Sequence, residues 1–472
     1  MENELQLRSV QTFEQAKIPH SLDDVNRGWG TTDFVDRLDW LSFSVKNMSK
    51  DQSHGDIKYT INSVTAFARW LIGFDDYAVK NDFGYKWNGS YWERMPVKQV
   101  YNMIDVSIVA ITDMLRISSN KKRELQRDVK PYLIEQSRNF DDTIKGRYIA
   151  FKNWTLDVKE NNFITPDKNM NVIDGFDFEP KPNLIPDTWV AYAQYMFGDN
   201  AAFLWAWLGY SFQANMTWKQ GALFLLDPIG GTGKTHFVTK VTQAMFGANR
   251  VGAFKLKNLQ GQGARFETAR FVGKSLMVDD DATKVRFKED DVFKAVTGGG
   301  LSPIERKGID GSEYHITAKM IINVNEMPVF NNAGAITRRL HIIKTVAPVA
   351  TAKEIEERNK LFPEEQLNAE IPMLATYAIE MYQKAVEDDW EIIGNIADDI
   401  VAVDPFLAWY HTVKPGEYKS GDLYDNYVEY YESLEFSGKD DAPMSKQAFG
   451  RKMANWADKV ERRDGKYYKV TA

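Results

Sequence analysis

Cysteine is absent from all 472 residues. Its absence excludes disulfides, thiolate metal sites and cysteine nucleophiles, and it suits a reducing cytoplasm. Histidine is scarce: the six stand at 20, 54, 236, 315, 341 and 411, without ligand spacing, so no structural metal is expected. Nor is there a long hydrophobic run. The most apolar stretch, AAFLWAWLGYSF (201–212), falls well short of the about 20 residues that a bilayer span needs and reads as a buried helix. The acidic, polar start MENELQLRSVQTFEQ is unlike a signal peptide, and no membrane partner is expected. An excess of basic charge is lacking too. With 59 Lys and Arg against 66 Asp and Glu the net charge is −7, which excludes a basic nucleic-acid coat. Contacts confined to a groove, a pore or one small domain remain compatible with that total.

What the chain has is apolar residues to bury. Hydrophobic residues make up 43% and aromatics 13%, the composition of folded domains, and at roughly 100–200 residues per domain the length allows about three. Residues 1–60 are polar and read as an arm. Helical patterns dominate 61–200, interrupted by strand-like YKWNGSYWERM (85–95), with a hairpin signal at Asn88-Gly89, and by RYIAFKNWTLDV (147–158). This region is expected to be a mainly helical domain with an oligomerisation role. Strands and helices then alternate, as a parallel α/β sheet requires, in a core placed at 201–350. A helical connection is expected at 351–400 and a small helix-rich unit at 401–472.

The core carries the chemistry. GALFLLD (221–227) is a buried strand and THFVTKVTQAMF (235–246) a helix, with PIGGTGK between them. Strand, glycine-rich loop and helix together make a phosphate loop. Backbone N–H groups of Gly230, Gly231, Thr232, Gly233, Lys234 and Thr235 would converge on phosphate oxygens. Lys234 would reach the β- and γ-phosphates and the Thr235 hydroxyl would bind Mg²⁺, making ATP and Mg²⁺ the expected ligands. The strict pattern wants glycine at 228 and finds Pro228, whose missing N–H falls outside the donors nearest the phosphates. KSLMVDDDATK (274–284) is an apolar strand ending in acids that can hold the Mg²⁺ shell and orient water. Asp279 and Asp280 are the expected pair, with Asp281 as a one-residue alternative. AKMIINVNEMPVF (318–330) ends a third strand in Asn325, placed to position the lytic water. ITRRLHII (336–343) follows, where Arg338 or Arg339 could stabilise phosphoryl charge across a subunit interface.

The order GGTGKT, VDDD, FKAVTGGGLSPIERKG (293–308), IINVNEMP and TRRL, within about 110 residues, resembles superfamily 3 helicases. The likeness is to phage, plasmid and poxvirus primase-helicases and to replication initiators of phage-inducible islands, and it covers roughly 80–472. The resemblance implies an AAA+ type P-loop ATPase core with a helical N-terminal domain and a C-terminal winged-helix domain. It implies a homo-hexameric ring that binds single-stranded and forked DNA. Lys234 and Thr235 match the nucleotide loop, Asp279 and Asp280 the acidic pair, Asn325 the sensor, and Arg338 or Arg339 the trans-acting finger. SPIERKGIDGSEYHITA (302–318) matches the hairpin of the central channel, with Gly308 to Gly311 as its tip and Arg306 and Lys307 beside it. Aspartates stand where relatives often place glutamate. No primase domain is expected in this chain, so a host or element-encoded primase would be a partner.

Residues 445–472 hold eight basic residues against three acids, a balance of +5. SKQAFGRKMANWA (445–457) has a serine cap and Phe449, Met453 and Trp456 at helical spacing. KVERRDGKYYKV (459–470) reads as two strands about Asp464-Gly465. Helix plus basic hairpin is a winged-helix pattern suited to origin duplex DNA, with Lys446, Arg451, Lys452, Arg462 and Arg463 as candidate contacts. The leading expectation is an ATP-dependent replicative DNA helicase and initiator. The alternative is an ATP-switched origin-binding or loading protein that does not unwind. A metabolic kinase would leave the paired arginines and the basic tail unexplained.

Overall fold

Alternating aromatic and polar residues make strands early in the chain, and continuous apolar runs make the buried sheet later. The computed structural model describes residue 24 and residues 38–471 apart from 51–54, 76, 81–82, 136–146, 262, 284, 288, 307–308, 331–335, 394–404 and 434–442. The chain forms two units, Met1–Glu179 and Pro180–Ala472, whose boundary falls in the proline-bearing segment EPKPNLIP.

In the first unit, β1 (Leu41–Lys46) and β2 (Asp56–Ile61) pair antiparallel from Leu41↔Ile61 to Lys46↔Asp56. The expectation of an arm through residue 60 is corrected here. Trp40, Tyr59 and Ile61 are buried, and burying such apolar surface holds the hairpin against the unit. After α1 (Val64–Asp75) come β3 (Tyr77–Lys80), β4 (Phe83–Trp87) and β5 (Trp92–Pro96), an antiparallel sheet in chain order. The Asn88 side chain accepts the N–H groups of Ser90 and Tyr91, both at 3.0 Å, to form the turn. Helices α2 (Val97–Met114), α3 (Ser119–Asp128) and α4 (Lys130–Glu135) follow. A second antiparallel sheet contains β6 (Tyr148–Phe151), β7 (Trp154–Asp157) and β8 (Asn162–Ile164). Phe67 and Leu71 of α1 pack with Val100, Ile104, Ile108 and Ile111 of α2, the 3–4 residue spacing of a one-sided helix.

The second unit opens with α5 (Asp187–Phe197) and α6 (Ala201–Tyr210). All but one residue of α6 is buried, as its unbroken apolar run requires. Then follow β9 (Ala222–Leu226), α7 (Lys234–Arg250), β10 (Val251–Ala253), α8 (Ala264–Thr268), β11 (Leu276–Ala282), β12 (Arg286–Phe287) and α9 (Asp291–Gly298). The core ends with β13 (Leu301–Arg306), β14 (Ile309–His315), β15 (Lys319–Val324), β16 (Val329–Phe330), β17 (Leu340–Lys344), α10 (Ala352–Leu361) and α11 (Glu364–Glu387). Five strands make one parallel sheet in the order β10-β11-β15-β9-β17. Strands β9 and β15 are buried at every position, which is why they read as continuous apolar runs rather than alternating ones. Among the described residues no helix is long and apolar enough to cross a membrane.

The C-terminal part runs α12 (Pro405–Tyr410), β18 (Gly416–Lys419), α13 (Ser420–Ser433), α14 (Lys446–Met453), β19 (Asp458–Arg462) and β20 (Gly465–Val470). The strands form an antiparallel sheet, β18-β20-β19. Its core joins Phe406, Trp409, Tyr427, Phe449, Met453 and Tyr468. Helix α14 starts where expected, with Ser445 Oγ accepting Ala448 N–H, but it ends at Met453. Trp456 lies beyond the helix and is 43% exposed rather than on its buried face.

Candidate nucleotide site and basic surfaces

The loop between β9 and α7 is shaped by glycines and by one carboxylate. Gly230, Gly231 and Gly233 hold φ of 75°, 74° and 89°, a region that side chains disfavour. Asp227, buried at the end of β9, accepts Gly230 N–H at 3.0 Å, Thr232 N–H at 3.3 Å and the Thr232 hydroxyl at 2.7 Å. Two of the six donors expected for phosphate are thus tied to Asp227. The N–H groups opening α7 have no carbonyl one turn earlier in the helix. Pro228 is exposed at the rim.

Lys234 is buried, and its Nζ donates to the carbonyls of Leu225 at 2.9 Å and Val324 at 2.6 Å. Burial pushes its ammonium down to about 8, opposed by the nearby Asp227 and Asp281 charges. The Thr235 hydroxyl donates to the Asp280 carbonyl at 3.1 Å. These groups open into a cavity of about 570 Å³, also lined by Asp280 and Asp281 of β11, by Asn323 and Asn325, and by Ile355, Arg358 and Asn359 of α10. That size suits a nucleotide-scale ligand. Its place, at the carboxyl ends of parallel strands, is where open α/β sheets bind ligands.

The acidic pair facing this cavity is shifted one residue from the one expected. Asp279 is buried, and its carboxylate accepts Lys255 Nζ at 2.9 Å and Leu256 N–H at 2.7 Å. Lys255 also reaches Asp280 at 3.0 Å, and this contact holds the Asp280 carboxyl below its usual range despite partial desolvation. Asp280 and Asp281 are the two that line the cavity. Asn325 is exposed beside Gly230.

Arg338 and Arg339 do not line the cavity. They precede β17, whose first residue pairs with the first residue of β9, so they sit at the opposite edge of the sheet. One five-residue strand separates the two edges, about 17 Å. Arg338 is exposed and Arg339 buried; desolvation, then its neighbour Arg338, lowers the Arg339 guanidinium.

Several residues at the site escaped the reading of the sequence, among them Asp227, Asn323, Lys255 and Arg358. Asp227 had a usable signal, since Asp-Pro-x-Gly is a turn in which the carboxylate caps N–H groups further on. Asn323 had one as well, standing two residues before Asn325 on the same strand face. Lys255 and Arg358 had none. Arg358 is buried on α10 and donates to the Thr232 carbonyl at 3.0 Å, and Ala350 N–H meets the Gly231 carbonyl at 2.7 Å. The φ of 89° at Gly233 favours glycine, and a Cβ there would stand 2.4 Å from the Arg358 guanidinium and push it off the Thr232 carbonyl.

Strands β13 and β14 pair from Leu301↔His315 to Arg306↔Ile309. Ile309, Asp310 and Gly311 therefore belong to a strand and not to the tip as expected, because pairing persists one residue pair further than the glycines imply. Lys307 and Gly308 lie outside the described residues, and Arg306 is placed only by its strand position. In the tail, Arg451 and Arg463 are exposed. Lys446 lies over the Tyr424 ring at 5.5 Å and Lys452 over Phe406 at 5.0 Å. Arg462 is held by Glu417 at 2.7 Å. The turn of the β19–β20 hairpin is Arg463-Asp464, since Arg462 pairs with Gly465.

Residues 226–339 match the model of a family of unknown function, DUF5906. No curated protein matches. Among solved structures, the A-form apo C-terminal region of NrS-1 is similar at 15% identity and TM-score 0.34, over 63% of this chain and 77% of that one. A second apo structure of that region gives 13% and 0.34, over 62% and 77%. JCV helicase with a bound thiazolopyridinyl-phenoxyphenyl acetamide gives 9% and 0.29, over 66% and 81%.

Proposed function

We propose that this chain is an ATP-driven ring motor of the superfamily 3 kind, with an AAA+ type core, that translocates on single-stranded DNA and initiates replication of a phage or other mobile element. The observation that carries this reading is the convergence of Lys234, Thr235, Asp280, Asp281 and Asn325 on one cavity at the carboxyl edge of the parallel sheet. Lys234 and the N-terminus of α7 would bind phosphates. A hydroxyl with two carboxylates suits a hard cation such as Mg²⁺. Among the described residues no group of three His, Asp or Glu could hold a metal alone, so phosphate oxygens would complete the ligand set. When bound, Mg²⁺ neutralises charge on the phosphates. Asp279 keeps Lys255 and Leu256 in place instead of serving as a ligand.

Arg338 is the exposed member of its pair and would act in the cavity of a neighbouring subunit, within a homo-hexamer assembled through the N-terminal unit. The β13–β14 hairpin, with Arg306 and Lys307, would grip the phosphates of one strand. The order helix–strand–helix–helix–strand–strand in the tail supports a winged helix. In it α14 would enter the major groove of origin duplex and the Arg463 turn would meet the backbone. Priming would come from a host or element-encoded primase.

The test is ATP hydrolysis and unwinding of forked DNA by wild type and Lys234→Ala. Loss of both activities by about 100-fold or more is expected; equal unwinding would sink the motor. Hydrolysis by wild type without unwinding would favour an ATP-switched loading protein.

A further inference from the structure

Asn323 lies in the floor of the same cavity, 1% exposed, and neither its amide nitrogen nor its amide oxygen has a protein partner. A buried amide with both groups unmet is costly, and the residue lines a cavity large enough for water and a ligand. The strands on either side explain why the position matters. On one side the pairing of β11 with β15 steps from Asp279↔Ile322 to Ala282↔Val324. One extra residue is thereby inserted, and Asp280 and Asp281 together oppose Asn323. Such a bulge re-aims side chains, and bulges gather beside active sites. On the other side Asn323 pairs with Leu225, whose carbonyl holds the Lys234 ammonium. The carboxylates and the lysine thus flank the unmet amide.

We infer that Asn323 is a positioning residue that orients the attacking water. An amide offers one donor and one acceptor side by side, the pair that fixes a water molecule in one orientation. In that step the water oxygen bonds to the γ-phosphorus as the bond from that phosphorus to the β–γ bridging oxygen breaks. A water proton passes to a carboxylate of the Asp280–Asp281 bulge, and ADP and phosphate leave. This rests on the ATPase reading above. It moves to Asn323 the water-positioning task expected of Asn325, which stands exposed at the cavity mouth.

The experiment compares wild type, Asn323→Leu and Asn323→Ser in ATP turnover, ATP affinity and nucleotide-free melting. Asn323→Leu keeps the branched shape with larger terminal groups and removes donor and acceptor together. Its kcat should fall about 100-fold, with KM and Kd for ATP within about threefold of wild type and a higher Tm without nucleotide. Asn323→Ser, which keeps a small polar group, should retain intermediate turnover. Wild-type kcat in Asn323→Leu overturns the inference and leaves the ATPase reading standing. A lowered Tm, or affinity lost in proportion to kcat, makes Asn323 a packing residue and overturns it as well. A wild-type protein that does not hydrolyse ATP overturns the reading and the inference together.

Discussion

The candidate nucleotide cavity and the C-terminal basic surface differ in how their charges are held. In and beside the cavity three charges have fixed partners. Asp227 takes three hydrogen bonds from its own loop, Lys234 spends its ammonium on two carbonyls, and Asp279 is locked by Lys255 and Leu256. In the tail, Arg451 and Arg463 are exposed, while Lys446 and Lys452 rest over rings and Arg462 over both a ring and an acid. Buried, partnered charges act as one machine and fail together; exposed charges act nearly one at a time.

Removing one partner inside the cavity should therefore have the largest effect. Asp227→Ala leaves the Thr232 hydroxyl and the Thr232 N–H without their acceptor. It should lower stability by about 2–3 kcal/mol and ATP affinity by more than about tenfold, measured by denaturant unfolding and calorimetry. Unchanged affinity would mean that Asp227 does not shape the loop.

The second effect is a pH dependence of moderate size. Because burial lowers Lys234 to about 8, its ammonium is charged below that pH and neutral above it. Phosphates favour the charged form, so ATP binding should take up a proton near pH 8 and weaken by about tenfold per unit above it. Calorimetry in two buffers of different ionisation heat measures the uptake. The sign for folding is opposite. A lysine lowered on folding costs stability below its folded value, so that cost is relieved as pH rises from about 8 toward the usual 10.5.

The smallest effects belong to the tail. Arg451→Ala and Arg463→Ala should each weaken duplex binding by only a few-fold and flatten the salt dependence by about one phosphate contact. Arg462→Ala should do less, because Glu417 already holds that guanidinium. A titration of binding against salt would separate the three. If Arg462→Ala proved the most damaging, the ranking by ion pairing would be wrong.

Much of the site was legible because its signals are local. GGTGKT between an apolar run and a helical pattern gives strand, loop and helix from neighbouring residues alone, and the same holds for the Asn325 strand end and the Ser445 cap. The acidic pair was not fixed in this way. VDDD offers three equivalent aspartates, and the choice among them depends on a bulge against β15, a strand some 40 residues further on. The turn of the β19–β20 hairpin slipped by one residue for a similar reason: the registers are set by pairing rather than by where a glycine stands.

By itself, then, the sequence determined the order of elements, the strand–glycine loop–helix around Lys234 and the charge separation between an acidic body and a basic tail. These follow from periodicity and residue type, which act over a turn of helix or a few residues of strand. Only the tertiary structure decided that Arg358 crosses to the loop at Thr232, that Lys255 claims Asp279, and that Asn323 faces the cavity between carboxylates and lysine. Those are contacts between residues far apart in the chain, set by how strands stack and by which polar groups are left to be satisfied once the sheet is buried.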